Sequence, residues 1–174
     1  MAASLYGPEE AQSAFWIYLE HEQGALERVS LELLSKARAL ADAAGWRVAG
    51  LLLGHRVEPM VEDAFAWGAD EVWVADHPLL EPFTVEAHTA IAFQAILRGR
   101  PSVFLCGATP NGRDLAGRLA VRLRTGLTAD CTDLRLDLEK GGVLIGEVTG
   151  FGGGIVALIT MPNHRPQMAT VRPG

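Results

Sequence analysis

Cysteine is scarce in this 174-residue chain: only Cys106 and Cys131, in neither a C-x-x-C pair nor a zinc spacing. Both read as reduced and buried, which places the chain in the cytoplasm or an equivalent reducing compartment. Long apolar runs are also missing. The stretch "VAGLLLG" (Val48–Gly54) is far too short to cross a bilayer, so no membrane insertion is expected. No basic, then apolar, leader opens the chain. No Lys/Arg block interrupts a net charge of −6, and an acidic surface repels phosphate backbones, so nucleic acid is not an expected partner. The five histidines are scattered without ligand spacing, and no G-x-S-x-G nucleophile motif occurs. Glu9-Glu10 and Glu62-Asp63 read as solvated faces. Phe15, Trp16, Phe65, Trp67 and Trp73 read as core or interface. No catalytic set and no metal site is visible.

What is present is alternation. Strand-like runs at Ser13–Glu20, Trp46–Gly54, Asp70–Asp76 and Pro101–Ala108 are each followed by a helical pattern. The first helix is expected over Ala25–Gly45. Leu26, Val29, Leu33, Ala37, Leu40, Ala41 and Ala44 form its apolar stripe, and Gly45 ends it. A short helix follows around Glu58–Asp70, a longer one closes at Gly99, and a fourth spans Pro110–Arg124. Four strand–helix units predict a doubly wound, mainly parallel α/β sheet with helices on both faces. From Cys131 onward only strands are read, with a hairpin turn at Glu139–Gly142. The expectation is one domain over 1–174: βα repeats over 1–124, then an antiparallel β-rich tail over 125–174.

The stretch "FLCGATPNGRDLAGRLAVRL" (Phe104–Leu123) has the outline of a phosphate-gripping P-loop. Gly107 and Gly112 have its spacing, but Arg113-Asp114 stand where a lysine and a hydroxyl are needed. A carboxylate there repels a triphosphate, so a working P-loop is not expected. The ordinary reading makes Thr109 a helix cap and Pro110 the first helical residue. Gly112 then allows close packing, and Asp114 can pair with Arg118 one turn on. A helix start after a strand's carboxyl end remains the usual ligand or partner position in such a sheet. The run "GFGGG" (Gly150–Gly154) lies between strands and reads as a tight turn or bulge.

Four stretches resemble one family. "EHEQGALERVSLELLSKARALA" (Glu20–Ala41), "FLCGATPNGRDLAGRLAVRLRTGLTADCTDL" (Phe104–Leu134), and "FGGGIVALI" with "PQMATVRPG" are similar to the amino-terminal domain of the electron transfer flavoprotein alpha subunit. The resemblance implies an adenine-nucleotide alpha-hydrolase-like α/β fold that pairs with a beta subunit, in a complex that carries electrons from dehydrogenases to an acceptor. It implies a supporting rather than a catalytic role. FAD is expected in the family complex, but the Ser-Arg, Gln-Thr-Gly and Ser-Gly-Ala motifs of its main binding domain are not in this sequence. The chain is therefore the front of a longer protein or a short alpha-like one, holding no FAD tightly by itself. Gly107, Thr109, Asn111, Gly112, Arg113, Thr128 and Asp130 are the expected contacts to cofactor or partner. Val148, Thr149, Gly150 and Gly154 replace family residues around the glycine run, which puts that loop's contacts in doubt. The alternative is a stand-alone adenine-nucleotide- or flavin-binding module, with AMP, ADP or FAD as ligand. A small nucleotide-hydrolase-like enzyme ranks last. The isolated chain is expected to self-associate.

Overall fold

The central strands of the main sheet bury two faces, and the residue alternation along them says against what. The computed structural model describes residues 3–174. Its sheet is built from β1 (Gln12–Tyr18), β4 (Arg47–Gly54), β5 (Glu71–Asp76), β6 (Pro101–Gly107), β7 (Leu127–Cys131) and β11 (Gln167–Val171). The order is β5-β4-β1-β6-β11-β7, and every neighbouring pair is parallel. Phe15, Ile17, Val103, Leu105 and Ala169 point to one face, where α1 (Arg28–Ala44) and α2 (Val61–Ala66) pack. Trp16, Tyr18, Phe104, Cys106 and Met168 point to the other, against α3 (Val85–Gly99) and α4 (Pro110–Leu123). Strands covered on both faces read as near-continuous apolar runs, as β1, β4 and β6 do.

The helices follow the expected stripes. Val29, Leu33, Ala37 and Ala41 of α1 are buried, and Gly45 caps it at φ 71°. The helix starts at Arg28 rather than Ala25, because β2 (His21–Glu22) and β3 (Ala25–Leu26) close a small hairpin first. α3 includes Gly99, and Arg100 takes the left-handed cap. Gly99 serves packing instead: a Cβ there would sit 2.1 Å from the Trp16 ring.

The tail differs from expectation in two respects. β8 (Asp133–Asp137), β9 (Val143–Gly150) and β10 (Ile155–Ile159) do form a separate antiparallel sheet in the order β10-β9-β8. β11, read as part of that set, instead lies inside the main sheet and runs parallel between β6 and β7. β7, also inside the expected tail, lies at the edge of the main sheet, parallel to β11. Hydrophobic pattern marks β11 as buried but carries no information on its direction, and only the β6 and β7 backbones on either side fix it.

The small sheet covers the α1 face through Leu134, Leu136 and Leu144. Its Glu139–Gly142 turn docks on Trp46, where Gly142 at φ 89° approaches the ring so closely that a Cβ would lie 2.3 Å from it. Gln167 of β11 joins the two sheets. Its side chain accepts from Leu144 N at 2.8 Å and donates to the Gly142 carbonyl at 3.0 Å. No helix among the described residues is long and apolar enough to cross a membrane.

Candidate functional site

The strand order reverses between β1 and β6, and the carboxyl ends of the strands there open on a cleft of about 420 Å³. Tyr18, Glu20, His55, Arg56, His88 and Asn111 are among its walls. Tyr18 closes β1 and sits 2.8 Å from His88 Nδ1, while His88 Nε2 lies 3.1 Å from the Leu80 carbonyl. A carbonyl only accepts, so Nε2 carries the proton and Nδ1 accepts from the tyrosine hydroxyl. Burial holds His88 below the usual histidine range, in keeping with a neutral ring. Burial also raises the Tyr18 hydroxyl, so this pair is a fixed prop behind the cleft, not a proton donor to solvent.

Asp76 ends β5 and accepts from Arg56 N at 2.8 Å and Val57 N at 3.0 Å. Those two backbone bonds hold its carboxyl below the ordinary range, with the nearby His55 adding to the effect.

The P-loop outline resolves into a closed turn. Thr109 caps α4 by accepting from Gly112 N at 3.0 Å, and Arg113 N donates to the Thr109 carbonyl at 2.9 Å. Pro110 has no N–H to offer. A Cβ on Gly112 would stand 2.0 Å from the Gly107 carbonyl oxygen, and one on Gly107 would strike Val29. The two glycines are thus spaced for backbone contact across the turn and for packing on α1. The Thr109 hydroxyl in turn donates to Glu20 Oε2 at 2.7 Å. Burial raises the Glu20 carboxyl, partly countered by that bond. Glu20 is also tied to α1, its N–H donating to Ser30 Oγ at 2.8 Å.

The seven expected contact residues separate into two groups. Gly107, Thr109, Asn111, Gly112 and Arg113 gather at the α4 start, and Asp130 joins them across β7. Arg113 Nε and Nη2 donate to the two Asp130 oxygens at 3.1 and 3.2 Å. Asp130 stands at φ 57°, and its N–H donates to Thr170 Oγ1 at 2.8 Å; this break in the β7 ladder turns its carboxylate toward Arg113. Thr128 is not with them. It is buried beneath β9, 2.9 Å from where a Gly146 Cβ would be. Asp114, Arg118 and Arg122 are exposed as expected, but Asp114 and Arg118 form no ion pair with each other, and Arg122 stacks on Phe93 at 4.4 Å.

The fit of a phosphate-bearing cofactor at this helix start is poor. The N–H groups of Gly112 and Arg113 are spent on Thr109, Arg113 is held by Asp130, and a carboxylate, Glu20, lies where an anion would have to enter. Neither AMP nor the pyrophosphate of FAD finds a cradle of free donors here. Sequence reasoning missed Tyr18, Glu20, His55 and His88 as cleft residues. Their one available signal was position, since Tyr18, Glu20 and His55 lie at or just past strand carboxyl ends. His88 carries no such mark, being a helix residue brought in by packing.

Comparison with known proteins gives a consistent picture. The family described as "Electron transfer flavoprotein domain" matches residues 15–174. The electron transfer flavoprotein subunit alpha of Thermoanaerobacterium thermosaccharolyticum is 46% identical over 159 residues, covering 91% of this chain and 48% of that protein. Protein FixB of Rhizobium meliloti is 42% identical over 162 residues, covering 91% and 45%. The acryloyl-CoA reductase electron transfer subunit beta of Anaerotignum propionicum is 39% identical over 180 residues, covering 91% and 49%. The chain therefore spans about half the length of the curated relatives it matches.

Proposed function

The chain belongs to the electron transfer flavoprotein domain family, and from that premise we propose that it is an alpha-type pairing domain, a platform that binds a beta-type subunit in a complex passing electrons from dehydrogenases to an acceptor. Its part is recognition and positioning, with FAD held elsewhere in that complex. The two buried, unpaired cysteines fit a reducing compartment.

One observation carries the reading. β10 is Ile-Val-Ala-Leu-Ile, and all five residues are exposed, Leu158 at 57% and Ile155 at 55%. β9 pairs with one edge of β10, and among the described residues no strand pairs with the other. An aliphatic strand with a free edge invites strand addition or burial against a partner, and natural proteins seldom leave one bare. The nucleotide-module alternative gains no support from the self-capped α4 start.

The test is co-expression with a beta-type subunit, followed by size-exclusion chromatography and native mass spectrometry. A one-to-one complex is expected, with flavin absorbance in the complex and none in the isolated chain. Leu158→Lys, on an exposed position, should leave the melting temperature within about 2 °C of the parent while abolishing the complex. A complex indifferent to Leu158→Lys and Ile155→Lys would overturn the pairing role of β10.

A further inference from the structure

A second surface, far in sequence from β10, has an unmet contact of another kind. α4 is buried along Leu115, Ala116, Leu119, Ala120 and Leu123. Its outward face carries Asp114, Gly117 and Val121, which recur at three- and four-residue steps, and Arg124 follows at the same step. Val121 is 79% exposed, and nothing lies within 4 Å of where a Gly117 Cβ would stand. Mid-helix glycine costs stability. Gly112 is explained by the chain's own backbone; Gly117 is not. Gly117 and Val121 line a groove between α3 and α4 with Arg118, Arg122 and Glu86, and the groove also takes in Thr89, whose buried hydroxyl has no hydrogen-bond partner among the described residues. Among the described residues, Asp114, Arg118 and Arg124 have no intramolecular ion partner.

We propose that this face binds a second copy of the chain through α4, in an antiparallel, two-fold pair. The pattern is self-complementary. Gly117 and Val121 are equally displaced from Leu119, so a two-fold axis there seats each Val121 in the notch over the other copy's Gly117. That register also sets Asp114 of one copy opposite Arg124 of the second copy, since these too are equidistant from Leu119. The two pairings arise from one axis, although notch, knob and charges are separate features of the sequence. Opposite charges across the pair fix its direction, because a parallel arrangement places like charges level with each other. A contact made chiefly by one helix face lies at the small end of interfaces, and the dimer is accordingly weak, with a Kd on the order of 100 µM.

The experiment is sedimentation equilibrium on the full chain carrying Leu158→Lys, so that β10 adds nothing to association. A monomer–dimer equilibrium is expected. Gly117→Leu should weaken it about tenfold or more while leaving the melting temperature equal or higher, since leucine favours helix and meets no neighbour at its Cβ. Asp114→Arg should weaken the dimer, and Asp114→Arg with Arg124→Asp should restore it. A chain that stays monomeric at about 1 mM overturns the proposal. So does a dimer indifferent to Gly117→Leu, or one that the charge exchange fails to restore.

Discussion

Tyr18 and His88 meet in three dimensions although 70 positions separate them, and their pairing has a pH consequence. His88 is buried at 2% exposure, and burial keeps its pKa below the ordinary histidine value. In the window between that lowered value and about 6.5, the unfolded chain binds a proton that the folded chain refuses. Stability from this residue is therefore full above the window and falls as the pH drops through it, by at most about 1.4 kcal/mol per pH unit. Urea titrations at a series of pH values should show a smaller acid dependence in His88→Gln than in the parent. Equal slopes would mean that His88 is protonated in the fold. Glu20 acts in the opposite sense: its carboxyl is raised by burial, so protonation relieves a cost and this residue's contribution improves on acidification. At this scale the caps were legible, since Thr109 and Gly45 act through neighbours a few residues away. Glu20 and His88 were not, because nothing within a turn of either says what it will meet.

Elements were legible where their period was long. The α1 stripe needs only the 3.6-residue repeat, and its buried residues follow it. The start of α1 was misplaced because a two-residue hairpin is too short to have a period. β11 is legible as a strand but its sheet is not, because Gln167–Val171 carries the same apolar signal in either place. Gln167 is the residue that couples the two sheets, fully buried with bonds to Leu144 N and the Gly142 carbonyl. Gln167→Leu should strand both backbone groups and cost about 2–4 kcal/mol. Hydrogen exchange should then quicken first in β8 and β9, ahead of β1 and β6. Uniform loss of protection would show instead that the two sheets unfold as one unit.

For the whole molecule, β11 is structurally central although it follows the small sheet in sequence. β11 bonds to β6 on one side and β7 on the other, and Arg172 N donates to the Cys131 carbonyl at 2.9 Å. Removing residues 161–174 would open the sheet in its interior and leave β7 without a neighbour. The shortened chain should lose the sharp near-ultraviolet dichroism and the cooperative melting of the parent, whereas a terminal appendage would be lost without effect. The class of fold, the alternation of strand and helix, the caps, the tight turns and the family resemblance are legible in the sequence alone. All of these depend on interactions between near neighbours or on composition, so they are written locally. Tertiary structure alone decided the direction and place of β11, the union of Arg113 with Asp130 and of Glu20 with Thr109, and the burial of Thr128. It also decided which apolar residues stay outside. A five-residue aliphatic run reads as core in any sequence, and only the packing of the rest of the chain leaves β10 exposed. Exposure is a property of what fails to cover a strand, and the strand's own residues do not encode it.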